Sequence, residues 1–274
     1  MTVQTALLQG TRLLEDGGIA VPRLTAEVLL SYALHCERVY LFAHPEQELR
    51  EVEWLHYGRY LHERLKGKPT QYITKRQEFF GREFRVTPDV LIPRPETEHV
   101  VEVARRLPRP GRLLDVGTGS GALAITLALE LGAEAWATDI SPAAAAVAAE
   151  NALRLGAPVH ILVCDVMEAI APRTIDLIVS NPPYVPIGQR EGLQREVRDY
   201  EPHVALFAGE TGFELYAQIV ADAPRVLRPG GWLVMELGFG SLDHVRRLLA
   251  DWRQVQVEPD LAGIPRVIAA TCGP

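Results

Sequence analysis

Asn181-Pro182-Pro183-Tyr184 ends an apolar run, Ile175-Asp176-Leu177-Ile178-Val179-Ser180, that reads as a buried strand. Proline has no N–H, so two in succession stop the sheet ladder and hold the backbone extended. The Asn181 side chain and the Pro182 carbonyl are left as fixed acceptors beside the flat ring of Tyr184, a set suited to holding a planar NH2 group. Asn181 is one of only two asparagines in 274 residues, the other being Asn151, so the motif does not arise from an asparagine-rich composition. Asn-Pro alone is an ordinary strand-ending turn. The whole tetrapeptide after a buried strand reads as a site.

A second group of residues lies upstream. Asp115-Val116-Gly117-Thr118-Gly119-Ser120-Gly121 follows the strand Leu113–Val116 and precedes a helical stretch, Ala122–Leu131. Glycines there permit backbone conformations closed to other residues and let a ligand approach the positive end of the helix. The spacing is GxGxG, with Ala122 directly after the third glycine, so the GxGxxG dinucleotide fingerprint is not met. Asp139 ends the next strand, where a carboxylate can accept both hydroxyls of a ribose. Asp165 ends the third strand and could take the exocyclic amine of an adenine, with Val166 against the ring face. A helix cap or a plain loop position is the competing reading for each acid. Together these residues suggest a nucleoside-bearing cofactor at the carboxyl ends of neighbouring strands, where open α/β sheets bind ligands.

A cofactor and an NH2 group meeting at one sheet edge point to group transfer. A cationic sulfonium with a transferable methyl matches, because in-line transfer needs alignment of donor and acceptor and a way to shed one proton. An amide or aromatic amine is a poor nucleophile because its lone pair is delocalised. Accepting both of its hydrogens at Asn181 Oδ1 and the Pro182 carbonyl would push density onto nitrogen and set its direction. Tyr184 would stack on the planar group and exclude water. No strong base is needed, since the proton becomes acidic only as the N–C bond forms.

These residues require a rigid frame. From Arg112 onward strands alternate with helices, the pattern of a parallel sheet covered on both faces. The candidate strands are Leu113–Val116, Ala135–Thr138, Val159–Val163, Ile175–Ser180, Trp232–Glu236, Val255–Val257 and Val267–Ala270. Ser141 as cap, Pro142 at the first position and Gly156 at the end mark the helix after the second strand. Residues 2–66 carry helical apolar spacing, punctuated by Gly17-Gly18 and Pro22, with a third helix through Val52, Leu55, Tyr60, Leu61 and Leu65 ending at Gly67. The aromatic, alternating stretch Glu78–Val86 reads as a short hairpin, and the Pro-rich segment Ile92–Glu98 opens a helix. The expected organisation is a helical domain over 1–75, a linker with a short hairpin over 76–94 and the sheet domain over 95–274.

Composition narrows the partners. A formal charge of −7 and a pI near 5.7 give no overall reason for tight nucleic-acid binding. Cys36, Cys164 and Cys272 are odd in number and lack a CxxC, so neither a disulfide framework nor a zinc site is indicated. The histidines show no HExxH, and no metal is expected. No apolar run reaches membrane-spanning length, and Glu15 and Asp16 follow Leu13-Leu14 with no cleavable apolar segment. A soluble cytoplasmic monomer is expected.

Asp115–Gly121, Asp139, Asp165 and Asn181–Tyr184 together resemble the S-adenosylmethionine-dependent methyltransferases that act on amino nitrogens of adenine, cytosine or glutamine. Within that group the chain closely resembles the PrmC/HemK family, which methylates class I peptide chain release factors. The likeness covers essentially the whole chain. It is carried further by Glu78-Phe79-Phe80-Gly81, Val90–Glu98, Glu201-Pro202 with Ala205-Leu206, and Asp260 with Gly263 and Arg266. It implies a Rossmann-like, seven-stranded α/β methyltransferase fold with a small all-helical N-terminal domain. It implies S-adenosyl-L-methionine as cofactor, S-adenosyl-L-homocysteine as product, and transfer to the side-chain amide of the glutamine in a Gly-Gly-Gln motif. On this resemblance Asn181, Pro182 and Tyr184 are catalytic. Gly117, Thr118, Gly119, Ser120, Gly121, Asp139, Asp165, Val166 and Asn181 hold the cofactor. Asn181, Pro182, Pro183 and Tyr184, with Phe80 and Arg94, hold the substrate. Phe80 has a core role as its competing reading, and Arg94, between two prolines, either pairs with a carboxylate or borders the site. Glu236, ending a strand beside the cleft, is a cap or a contact. Ser241 stands where the family usually has glutamine.

Other functions compete. Adenine in DNA or RNA offers the same planar NH2 group, but the acidic charge and the lack of a basic, aromatic recognition segment oppose it. A related glutamine methyltransferase acting on a ribosomal protein carries Pro-Arg-Ser-Pro where this chain has Pro93-Arg94-Pro95-Glu96-Thr97-Glu98. A noncatalytic nucleoside-binding or translation-associated interaction protein is disfavoured because the glycine turn, Asp139 and Asn181 all stand together.

Overall fold

Local signals set the element ends. Thr2 caps α1 (Val3–Asp16), its hydroxyl accepting from the Thr5 N–H at 3.3 Å, and Pro22 begins α2 (Pro22–Leu34). A short α3 (Arg38–Ala43) follows, then α4 (Glu51–Leu65), whose start is closed by the Glu53 carboxylate accepting from the Arg50 N–H at 2.8 Å, and α5 (Thr70–Thr74). A two-stranded sheet of β1 (Arg76–Phe79) and β2 (Arg82–Arg85) comes next, then a 3₁₀ turn at Pro95–Thr97 that runs into α6 (Glu98–Arg106). The alternating part contains β3 (Arg112–Val116), α7 (Ala122–Leu131), β4 (Glu134–Asp139), α8 (Pro142–Leu155), β5 (Val159–Val163), β6 (Ile175–Ser180), α9 (Arg195–Tyr200), α10 (Glu214–Val226), β7 (Leu227–Glu236), α11 (Leu242–Leu248), β8 (Arg253–Pro259) and β9 (Pro265–Thr271).

This computed structural model describes residues 1–273. The chain divides into two units: Met1–Arg76 with Gln194–Tyr200, and Gln77–Leu193 with the chain from Glu201 onward. The first is helical. Leu7, Leu14, Leu29, Leu30 and Tyr57 fill its core, and α9 is tied into it by the Arg64–Glu196 ion pair. The short α3 and α5 lie outside the three helices legible from apolar spacing, because six and five residues carry too little periodicity to be read.

The second unit is built on a seven-stranded sheet of order β5-β4-β3-β6-β7-β9-β8. The pairs β5–β4, β4–β3, β3–β6 and β6–β7 are parallel, and β9 runs antiparallel to both β7 and β8. All seven expected strands are present. Along the central strands both faces are buried, and successive residues go to opposite sides. Leu113, Leu177, Val179, Trp232 and Val234 enter one core, Leu114, Ile178, Leu233 and Met235 the other. Two-sided burial explains why these strands read as continuous apolar runs. Gly231 allows a close approach near a bulge between β6 and β7, since a Cβ there would lie 3.1 Å from the Asp176 carbonyl oxygen.

Asn151, fully buried on α8, joins three segments of this unit. Its Oδ1 accepts from the Arg85 N–H at 2.8 Å, and its Nδ2 donates to the carbonyls of Arg85 and Ser120, both at 2.9 Å. It thereby holds the hairpin strand β2 and the glycine-rich turn to one helix. Asn151→Ala leaves an N–H and two carbonyls without that partner. A loss of about 2–4 kcal/mol in unfolding free energy is expected, measurable by denaturant titration.

Candidate active site

The parallel register aligns the strand ends. Val116 pairs with Thr138 on one side and Ser180 on the other, and Ser180 pairs with Met235. The next residue on each strand therefore emerges at one edge: Gly117, Asp139, Asn181 and Glu236. This edge opens into a cavity of about 320 Å³ whose lining includes Gly117, Gly119, Asp139, Ile140, Asp165, Val166, Asn181 and Pro183. A smaller one of about 50 Å³ shares Gly117, Gly119 and Asn181, and adds Pro93, Thr97, Asp115, Thr118 and Ser120.

The glycine turn is fixed by its neighbours. The N–H groups of Gly117 and Thr118 both donate to the Thr138 carbonyl at 2.9 Å, and the Gly119 N–H donates to Asp139 Oδ2 at 2.8 Å. Gly117 and Gly119 have φ of 73° and 55°, and a Cβ at either would meet no atom within 4 Å. That space belongs to the cavity. Gly121 serves packing instead: a Cβ there would lie 2.7 Å from Ile125 Cδ1, and Gly121 lines neither cavity. Asp139 is a loop ligand as well as a cavity residue, its Oδ1 accepting from the Ser141 N–H at 2.9 Å. Each oxygen keeps acceptor capacity for a ligand hydroxyl. Asp165 is exposed and stands two residues beyond β5, not at its end. Val166 is buried with φ 42°, its carbonyl accepting from the Thr138 hydroxyl at 2.7 Å.

Asp115 joins this set, although sequence reasoning assigned it no role beyond the motif. Its Oδ2 accepts from the Thr118 hydroxyl at 2.7 Å and the Ala124 N–H at 3.1 Å, while Oδ1 is buried without a partner. Burial pushes its carboxyl up to about 7. An orphaned acceptor at the smaller cavity suits an ammonium group. A nucleoside bearing an amino acid fits this donor set: ribose hydroxyls at Asp139, the base between Asp165 and Val166, and the amino end toward Asp115.

The tetrapeptide is held on every side. The Ser180 hydroxyl donates to the Val116 carbonyl at 2.7 Å, and Asn181 Nδ2 donates to Thr97 Oγ1 at 3.0 Å. Thr97 in turn donates to Glu236 Oε2 at 2.5 Å. Beyond Tyr184 the chain runs beside Leu206–Ala208, with the Val185 N–H donating to the Leu206 carbonyl. The Tyr184 ring lies on Gly238, where a Cβ would come within 2.6 Å of the ring carbons. The buried Tyr216 hydroxyl donates to the Glu236 carbonyl at 2.8 Å and accepts from the Gly238 N–H at 3.1 Å, fixing that backbone. Ser241 closes the turn, its hydroxyl donating to the Gly238 carbonyl at 2.8 Å. Burial, with the nearby Glu236 carboxyl, pushes the Tyr184 phenol up to about 12, so it stays neutral.

The edge thus gathers Gly117, Thr118, Gly119, Ser120, Asp139, Asp165, Val166, Asn181 and Pro183 around the two cavities. Pro182, which is buried, and Tyr184 flank this edge along the chain and line neither cavity. Two further expected residues line neither cavity. Arg94 pairs with the buried Glu201, which also accepts from the Ile92 N–H. Phe80 packs on the core of α6 and α7, under the Arg105 guanidinium at 5.7 Å, and lines neither cavity. Thr97, which lines the smaller cavity, is the reverse case. Thr97 sits in a Pro-rich turn distant in sequence from Asn181, and only the fold reveals the contact.

Two segments of the chain match known family descriptions. Residues 5–74 match the description "PrmC N-terminal domain", and residues 98–195 match "Methyltransferase small domain". The chain is 47% identical over 273 residues, 98% of each chain, to the release factor glutamine methyltransferase of Koribacter versatilis. It is 42% identical over 279 residues, again 98% of each chain, to that of Moorella thermoacetica. A methyltransferase from Pyrococcus furiosus is a structural neighbour, with TM-score 0.55, 18% identity and coverage of 74% of this chain and 94% of its own. At that identity the likeness speaks for the fold alone.

The seating of Tyr184 on Gly238 gives a test. Gly238→Ala forces the ring off its place while leaving both cavities' cofactor-side residues untouched. Turnover is expected to fall roughly tenfold or more, with cofactor affinity by calorimetry within about twofold of the parent.

Proposed function

The chain belongs to the release factor glutamine methyltransferases, and we propose that its carboxyl-edge site methylates the glutamine side-chain amide of the Gly-Gly-Gln motif in class I release factors. The observation that carries this reading is the Asn181 amide, set at the shared wall of the two cavities with Nδ2 committed to Thr97 and Oδ1 left free to accept. S-adenosyl-L-methionine, when bound, supplies an electrophilic methyl group on a positively charged sulfur. In this reading Gly117, Thr118, Gly119, Ser120, Asp139, Asp165 and Val166 hold that cofactor, Gly121 sets the turn, and Asp115 receives the amino end.

Asn181 Oδ1 and the Pro182 carbonyl accept the two N–H hydrogens of the acceptor amide. This fixes the plane of the amide and raises the electron density on its nitrogen. Pro183 shapes the wall beside Asn181. Tyr184, neutral and seated on Gly238, covers the planar group and keeps water out. The amide proton becomes acidic as the N–C bond forms and leaves toward solvent, so no side chain is required as a strong base. Arg94 organises the segment around Pro93 through Glu201, and Phe80 supports the hairpin. Residues 1–75 serve to engage the protein substrate away from its glutamine, 76–94 connect, and 95–274 carry the chemistry. The chain acts as a monomer in the cytoplasm, in keeping with its three free cysteines.

The test is transfer of label from S-adenosylmethionine to an unmethylated class I release factor, with duplex DNA and ribosomal protein as alternative acceptors. Label is expected in the release factor, on one glutamine. Label in DNA with none in the release factor would sink the reading. Asn181→Ala is expected to lower turnover on the order of a hundredfold or more at unchanged cofactor affinity, as for loss of one preorganised polar group.

A further inference from the structure

An asparagine amide can be turned either way, and a site that needs its oxygen must prevent the alternative. Here the direction is set by counting protons. An ionised Glu236 carboxylate only accepts, so the single Thr97 hydroxyl hydrogen is committed to it at 2.5 Å. The Thr97 oxygen can then only accept from Asn181, and only the NH2 side of the amide can donate. Nδ2 therefore faces Thr97 at 3.0 Å and Oδ1 faces away from it. All three groups lie in one unit, and Thr97 and Glu236 are 4% and 2% exposed, so water does not scramble the chain of donors.

We propose that Thr97 and Glu236 are positioning residues which lock the Asn181 amide with its oxygen toward the acceptor. This rests on the reading of Asn181 as the acceptor clamp. A proton on Glu236 reverses the sequence. The carboxyl then donates to Thr97, Thr97 donates to Asn181, and the amide turns its NH2 group toward the substrate NH2, where two donors oppose each other.

The surroundings place this reversal near neutrality. Burial raises the Glu236 carboxyl to about 7; Glu96, on the same turn as Thr97, adds to this, and the Thr97 hydrogen bond, Arg266 on β9 and Arg94 oppose it. Tyr184 remains neutral. On α6, Glu98 accepts from the Phe80 N–H and His99 faces Glu102. Tyr216 bonds the Glu236 backbone carbonyl and not its carboxylate. The sign follows: the oxygen-out state holds above the Glu236 pKa and is lost as pH falls through it.

The experiment compares wild type, Thr97→Val, Thr97→Ser and Glu236→Gln in methylation of a release factor from pH about 5.5 to about 9, with cofactor affinity measured by calorimetry. Thr97→Val and Glu236→Gln should each lose roughly tenfold or more in kcat, with cofactor affinity within about twofold. Thr97→Ser, which keeps the hydroxyl, should recover to within about threefold of wild type. The acid limb of the wild-type kcat profile, centred near 7, should be absent from Glu236→Gln. The proposal is overturned if Glu236→Gln keeps that limb, if Thr97→Ser is as impaired as Thr97→Val, or if kcat falls only in step with cofactor binding. Should Thr97→Val fail to fold, the Glu236→Gln profile decides alone. Asn181→Ala separates the two levels: full activity there removes the clamp reading, whereas an inactive Asn181→Ala beside fully active Thr97→Val and Glu236→Gln removes only the relay.

Discussion

Val116 pairs in parallel with Thr138 and with Ser180, and this register is the constraint on which the site depends. Because each strand advances in step with its neighbour, the residues that follow these pairs meet at one edge with no further adjustment. A slip of one residue on β6 would turn Asn181 from the edge toward a sheet face and exchange the two cores, since side chains alternate with a period of two. The register is itself specified by two-sided burial: Leu177 and Val179 belong to one core and Ile178 to the other. Packing on both faces leaves one pairing that satisfies every strand.

Much of this was legible in the sequence for that reason. The central strands β3 and β6 are almost wholly buried and carry dense β-branched and aliphatic runs, and helix α8 announces itself by Ser141, Pro142 and Gly156. The glycine turn and Asn181–Tyr184 were legible because each breaks a regular element abruptly, which is visible without knowing any partner. The short helices α3, α5 and α9 were not, because one or two turns leave no periodic trace. Nor was it legible that Gln194–Tyr200 belongs with the helical unit, since that membership is made by ion pairs such as Arg64–Glu196 across 132 positions.

The site residues that escaped are those whose role is relational. Thr97 read as part of a Pro-rich helix start, while Asn151 and Gly238 carried no assigned role. Each acquires meaning only from its partner: Asn181, Ser120 and Tyr184 respectively. Arg94 illustrates the converse. Its place between two prolines allowed a substrate contact or an ion pair, and the buried Glu201 carboxylate claims it. Composition and spacing find groups that could do chemistry, while hydrogen-bond partners decide which are free to do it.

Two carboxyls buried near this edge, Asp115 and Glu236, carry the remaining argument. Each is raised to about 7 by burial, above its ordinary range, so ionisation weakens the fold. A raised carboxyl contributes stability that is fully present below its unfolded pKa and lost as pH rises through the folded one. Apolar residues of like volume would avoid that loss. What they could not do is dictate a direction. An acceptor with no hydrogen of its own forces every hydroxyl and amide next to it to orient, and orientation in advance is what a site acting on a weak nucleophile requires. Asp115 accepts from the Thr118 hydroxyl and the Ala124 N–H beneath the glycine turn, and Glu236 accepts from the Thr97 hydroxyl, which accepts from Asn181. In the proposed reading the buried acids stand on both sides of the transfer, one beneath the glycine turn, the other behind the Asn181 amide.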